Sequence, residues 1–189
     1  MNAVAALRTL VLALSLAAFS SPVLAADWAT DAAKSQLNFT GTQAGSAFSG
    51  KFAHWDAQIS FDPANVAAGH ALVTIDIASA ATGDVQKDEA LPQSDWFNAK
   101  AFPQARFEAK SFKPLGNDRY EAAGSLTIKG ITKDVTLPFS LQITGDKAHM
   151  VGHLDIERTD YHVGEGSWSA TTFVGGTVGI DIDLTAAKK

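Results

Sequence analysis

Apolar and polar residues alternate with a period of two through most of the chain, as they do in strands that turn one face to a core and the other to water. Leu37, Phe39 and Gly41 share a face, as do Trp55, Ala57, Ile59 and Phe61, and then Ala71, Val73, Ile75 and Ile77. Ala105, Phe107 and Ala109 alternate with Arg106, Glu108 and Lys110, and Tyr120, Ala122, Gly124, Leu126 and Ile128 with Arg119, Glu121, Ser125, Thr127 and Lys129. The pattern continues in Val135, Leu137, Phe139, Leu141 and Ile143, in Met150, Gly152, Leu154 and Ile156, and in Val178, Ile180, Ile182 and Leu184 opposite Gly179, Asp181 and Asp183. Eight strands are predicted, with the clearest turns at Gly116-Asn117-Asp118 and Gly145-Asp146. Between Thr82 and Pro103 the alternation stops. Asp and Ser at capping positions, and Pro92 closing the first turns, predict one or two short helices there that cap the strands.

Eight alternating strands fit a sandwich, a filled barrel, a ligand-holding barrel or an outer-membrane barrel. The outward set includes Arg106, Glu108, Lys110, Glu121 and Asp134. Each charge near a bilayer midplane would cost on the order of a few kcal/mol, so no membrane barrel is expected. The inward set is unusual for its small members. Ala57, Ala105, Ala109, Ala122, Gly124 and Gly152 stand where a close-packed core calls for Leu or Ile. An unfilled interior costs about 24 cal/mol per Å³, so either neighbouring aromatics fill that space or a ligand does. An eight-stranded barrel is wide enough for one small ligand, and the alternation leaves both readings open.

The N-terminus bears on location. Arg8 precedes an apolar stretch from Leu10 to Phe19, and Ser-Ser-Pro then leads to Val23-Leu24-Ala25. This is the pattern of a cleaved secretory signal over residues 1–25, with an apolar run of about ten residues against the roughly twenty of a membrane-spanning helix. The expected mature protein is a single domain over residues 26–189, freely soluble in the periplasm. Losing Arg8 takes the formal charge from −5 to −6, which disfavours nucleic acid and anionic membrane surfaces as partners. Cysteine is absent, so the fold must hold by its core alone, and thiol catalysis, thiolate metal sites and a lipid-anchoring cysteine are excluded.

Catalytic chemistry finds little support. Of the five histidines only His149 and His153 are close in sequence, and on a strand they stand about 13 Å apart, too far to share a metal ion. Both fall on the polar face. No Gly-x-Ser-x-Gly elbow, His-Glu-x-x-His or P-loop occurs. Asp181 and Asp183 read as the outer face of a strand rather than as a carboxylate pair.

Several short runs together carry a resemblance. Trp28, Asp31 and Ser35, then Gly50-Lys51-Phe52, Thr82-Gly83 with Lys87-Asp88 and Leu91, Asp95-Trp96-Phe97 leading to Phe102-Pro103, the run Gly124 to Lys133 (GSLTIKGITK) and Arg158-Thr159-Asp160-Tyr161 follow one another in order. With this succession the chain resembles the YceI-like family of periplasmic polyisoprenoid-binding proteins over nearly all of residues 26–189. The resemblance implies an all-β, eight-stranded antiparallel, lipocalin-like barrel around a tunnel for a polyisoprenoid, a quinone tail or a similar amphiphile. It implies no cofactor besides that bound isoprenoid lipid or quinone. The family pattern often places Gly after the Arg-x-Asp-aromatic run, where this chain has His162. The following Gly164-Glu165-Gly166-Ser167-Trp168 loop is similar to a subgroup found near, or fused to, membrane di-haem cytochromes of b type, which implies a membrane cytochrome b as a partner. Related barrels make a homodimer possible.

A polyprenyl chain offers little to hydrogen-bond, so its recognition rests on apolar area, about 0.8 kcal/mol per buried methylene before ordering costs. Aromatic inward positions are the natural walls: Phe39, Trp55, Phe61, Phe107, Tyr120 and Phe139, with Trp96, Phe97 and Phe102 from the cap segment at the entrance. Ordinary core packing is the competing role for each. Arg158 continues the inward parity of Leu154 and Ile156, and a buried cation needs a partner. It would hold a polar headgroup or pair with Asp88 or Asp160. The expected function is a non-enzymatic periplasmic carrier. An enzyme acting on a lipid in the same cavity, and a stress-related module binding a protein through the 164–168 loop, are the alternatives.

Overall fold

A computed structural model describes residues 25–189; the leader expected over residues 1–25 lies outside them except for its last residue. The described chain forms strands β1 (Asp27–Thr30), β2 (Gln36–Gln43), β3 (Ser46–Phe52), β4 (Trp55–Ser60), β5 (His70–Asp76) and β6 (Ala80–Ala81), then helix α1 (Val85–Ala90). Five long strands follow: β7 (Gln104–Gly116), β8 (Arg119–Ile128), β9 (Ile131–Thr144), β10 (Lys147–Glu157) and β11 (Thr177–Lys188). The ring β1-β4-β5-β7-β8-β9-β10-β11 closes because β1 also pairs with β11.

The three remaining short strands extend this ring rather than add to it. β2 pairs with β3 at Asn38–Lys51 as β1 pairs with β4 at Trp28–Ile59, so β1–β2 and β3–β4 are two interrupted strands of one hairpin. β6 likewise extends β5 by pairing with β3. The molecule is therefore an eight-stranded closed antiparallel barrel with one short helix, as expected, in which consecutive strands are neighbours. Hairpin turns set the register. Ala44-Gly45, Asn117-Asp118 and Lys129-Gly130 have positive φ at both central positions, the type I′ geometry whose twist matches that of the strands.

All eight inward sets read from the alternation face the interior. The outer face carries the charges, including the ion pairs Arg106–Glu108 (3.2 Å), His149–Asp183 (2.8 Å) and His153–Asp181 (2.7 Å). The interior holds two apolar clusters. One, around Phe61, Ala109, Leu137 and Phe139, lies toward the end of the barrel where β4 ends and β8 begins. The other, around Ile77, Ala105, Ile128 and Tyr161, lies toward α1. The cap segment starts as expected: Asp84 accepts from the N–H groups of Gln86 and Lys87 and so nucleates α1.

Candidate functional site

The barrel is hollow along its axis. A first cavity of about 160 Å³ is lined by side chains of every strand of the closed ring, among them Trp28, Trp55, Phe107, Leu137, Leu154 and Leu184. All of its lining residues are aliphatic, aromatic or thioether. Many inward side chains, such as Trp55, Val73, Phe107, Ile180 and Ile182, are only half-buried although they point to the axis. Open space inside the wall accounts for that. A second cavity of about 110 Å³ lies under the cap, lined by Phe39, Phe52, Leu91, Trp96, Phe97, Ile128 and Tyr161 among others. Leu37, Ile75, Leu126 and Ile180 line both, and so form the waist between them.

The end of the first cavity is plugged by aromatic packing. Phe61 meets Phe112 (5.0 Å between centroids) and Tyr120 (5.5 Å), Tyr120 stacks on Phe139 (5.5 Å), and Phe112 meets Phe139 edge-on (6.2 Å). The Trp28 indole donates to the carbonyl of Phe61 at 2.9 Å and ties β1 to this plug. Phe112 joins it because a bulge between Ala109 and Ser111 shifts the β7–β8 register, turning a residue of outward parity inward.

The opposite end is closed by loops organised around Arg158, which is 3 % exposed. Its Nε donates to Gly175 O (2.8 Å), its Nη1 to Val163 O (2.7 Å) and Gly164 O (3.1 Å), and its Nη2 to Trp168 O (2.8 Å) and Val174 O (2.9 Å). Five N–H groups thus meet backbone carbonyls of the 163–175 loop. Pairing with Asp88 or Asp160 does not occur. Asp88 instead accepts from the amide and hydroxyl of Thr82 and the amide of Gly83. With its donors committed to the loop, Arg158 has no N–H left for a headgroup and acts on the second cavity as wall and charge. Burial pulls its pKa below the ordinary value, with Glu157 opposing. The loop is pinned to its neighbours: the N–H groups of Gly164 and Glu165 donate to Asp95 O, and Lys129 Nζ reaches His162 O and Glu165 Oε2, both at 2.7 Å. His162 is left-handed (φ 54°), which explains why the family pattern favours Gly at this position.

The ten residues singled out in the sequence divide into three groups. Trp55, Phe61, Phe107 and Phe139 line the first cavity, and Phe39, Trp96, Phe97 and Arg158 the second. Tyr120 and Phe102 line neither: Tyr120 belongs to the aromatic plug, and Phe102 covers Gly130 in the β8–β9 turn. The small inward residues divide as well. Ala109 and Ala122 line the first cavity and Ala105 the second, whereas Ala57, Gly124 and Gly152 line neither. Gly124 is small because Glu108 O and Ala109 Cα of β7 take the place of a side chain, and Gly152 is covered by Leu137, Pro138 and Phe139. Several lining residues escaped the pattern, among them Phe112, Phe52, Trp28 and Tyr161. Trp28 sits on a four-residue strand, and Tyr161 ends a 3-10 turn (Arg158–Tyr161) that interrupts the period of two. His149 and His153 lie on the outer wall beside carboxylates, and no group of three or more metal-ligating side chains occurs among the described residues.

A closed eight-stranded barrel around an apolar lumen defines a protein of the lipocalin-like architecture, in which the interior is just large enough for one small guest. The chain belongs to the YceI-like family, whose domain model matches residues 28–186. It is 32 % identical over 169 residues to a UPF0312 protein of Shewanella denitrificans, covering 88 % of this chain and 83 % of that one. Its fold is similar to the crystal structure of BcnA from Burkholderia cenocepacia, with a TM-score of 0.81 and 37 % identity over 84 % of this chain and 99 % of BcnA. A polyisoprenoid binding domain from Saccharophagus degradans, implicated in plant cell wall breakdown, is similar with a TM-score of 0.69. At 16 % identity, over 87 % of this chain and 99 % of that domain, the likeness shows the fold alone.

Proposed function

We propose that this barrel encloses a long apolar molecule, a polyisoprenoid, quinone tail or similar amphiphile, and carries it through the periplasm unchanged. The observation that carries the reading is the pair of cavities that meet at an apolar waist within one wall. A dry apolar void is unfavourable when empty and attracts apolar guests: an engineered cavity of about 150 Å³ takes up benzene. The description of the Saccharophagus degradans domain as polyisoprenoid binding supports the choice of ligand class. A wall of hydrocarbon and aromatic groups around the first cavity, without nucleophile, acid or base, supports carriage over catalysis. A membrane cytochrome of b type is a candidate recipient, proposed from the 164–168 loop.

Purification of the exported protein without detergent, solvent extraction and mass spectrometry test this reading. Prenyl lipids or quinones are expected in stoichiometric amount and should remain intact on prolonged incubation. A protein that neither carries nor takes up such molecules would defeat it, and steady consumption of the bound molecule would turn the carrier into an enzyme.

A further inference from the structure

Both cavities have almost wholly apolar surfaces, but the wall of the second includes one side chain whose polar end has no partner in the protein. Tyr161 is 2 % exposed and lies in the wall of the second cavity, yet its hydroxyl makes no hydrogen bond with any described residue. A buried phenol ordinarily finds a partner, so a hydroxyl left idle in this wall, whose other polar residues are Thr40, Thr42 and Arg158, points to a partner that the protein itself does not supply. Burial raises its pKa, with Asp160 adding to the effect, so the phenol keeps its proton and can donate it in a hydrogen bond.

Arg158 supplies an independent observation. Its side chain lines the same cavity, and its guanidinium behind that wall is held by carbonyls and by no carboxylate. Those carbonyl dipoles, with Glu157 nearby, weaken the field of the cation without cancelling it, whereas the first cavity has no charged side chain in its wall. Such a field favours an electron-rich oxygen. The first cavity, by contrast, has no hydroxyl and no charged side chain in its wall; its hydrogen-bonding groups are two indole N–H groups, that of Trp28, engaged with Phe61 O, and that of Trp55.

On this basis, and resting on the reading of the barrel as a ligand carrier, we infer that the lumen is oriented: the guest lies with an oxygen-acceptor head, such as a quinone carbonyl, beneath the cap on Tyr161 Oη, and with its hydrocarbon tail past the waist toward the aromatic plug. Tyr161 is thereby the residue that separates amphiphiles with an acceptor head from plain hydrocarbons. Trp96 and Phe97 pack over the head side of the cavity and exclude water from that hydrogen bond.

The test compares wild type and Tyr161→Phe in displacement of N-phenyl-1-naphthylamine by two probes: decylubiquinone, which has acceptor carbonyls, and a saturated hydrocarbon of similar length. Loss of one neutral hydrogen bond is expected to weaken decylubiquinone binding roughly 5- to 10-fold and to leave hydrocarbon binding within about twofold. Thermal unfolding of the ligand-free variant should match or exceed wild type, because the substitution removes a hydroxyl that has no partner in the protein. Equal weakening for both probes would make Tyr161 a packing residue and overturn the inference. So would unchanged decylubiquinone binding, which would mean that the hydroxyl is served by water. Wild-type protein that binds neither probe would count against the carrier reading itself, a different failure.

Discussion

Ala71→Phe fills the first cavity from its own wall. Ala71 lies on β5 between Ile59 of β4 and Ala109 of β7, lines the cavity and is half-buried, so a ring grown there enters open space. A benzyl group is close in size to the benzene that a dry void of about 150 Å³ accepts, and the cavity measures about 160 Å³. At about 24 cal/mol per Å³, complete filling has a ceiling near 4 kcal/mol of added stability. An imperfect rotamer and small wall shifts reduce that to about 1 to 2 kcal/mol. The same ring displaces roughly one five-carbon unit of the guest, about 4 kcal/mol gross at 0.8 kcal/mol per methylene. Affinity for an isoprenoid probe should therefore fall by about two to three orders of magnitude. Urea unfolding of the ligand-free protein and fluorescence displacement measure the two quantities separately. They should move in opposite directions. A fall in both would mean that the interior was already packed solid, and would refute the reasoning.

Other expectations follow from the loops and the wall. Arg158→Met leaves the carbonyls of residues 163, 164, 168, 174 and 175 without their donor; by analogy with breaking a buried ion pair it should cost about 3 to 5 kcal/mol in urea unfolding, and Arg158→Lys should not restore it, since one ammonium cannot reach all five. Gly124→Ala drives a Cβ into Glu108 O and should lower stability by about 1 to 3 kcal/mol, while Gly45→Ala, where only φ resists, should cost less. On the outer wall, the Asp181 carboxylate, aided by Asp155 and opposed by desolvation, raises the His153 pKa above its ordinary 6.5. Because the folded value is the higher one, this pair stabilises fully below about 6.5 and stops doing so as pH rises through the folded value. His153 is more than half exposed, so the increment is under about 1 kcal/mol. His153→Gln should thus lose stability near about pH 5 and match wild type near about pH 9, and an NMR titration of the imidazole should show its midpoint above 6.5.

The eight-strand barrel was legible because its signal is local: period two survives in β2, which continues β1, and in the seven other strands of the ring, and a one-residue slip would turn each apolar set outward. β3 was not, since its inner face places Gly50 between Phe48 and Phe52 and the covering ring is that of Phe39 on the next strand. A glycine looks alike in sequence whether it leaves space or admits backbone, so Gly124 and Gly152 resembled Ala109 and Ala122 although, of these four, the two alanines alone line the cavity. Arg158 showed its inward parity. Its partners were invisible, because backbone carbonyls up to 17 residues further along carry no side-chain signature. Phe112 was hidden by a bulge and Tyr161 by a 3-10 turn, both of which reset the alternation on which the inference relied.

A crystal structure of the protein, purified without detergent from its host, tests the hollow lumen most directly. Elongated density that belongs to no protein atom should run from beneath Trp96 and Phe97, past Leu37, Ile75, Leu126 and Ile180, toward Phe61 and Phe139. A barrel whose own Phe and Trp rings close that path, leaving neither density nor room for a chain, would contradict the account.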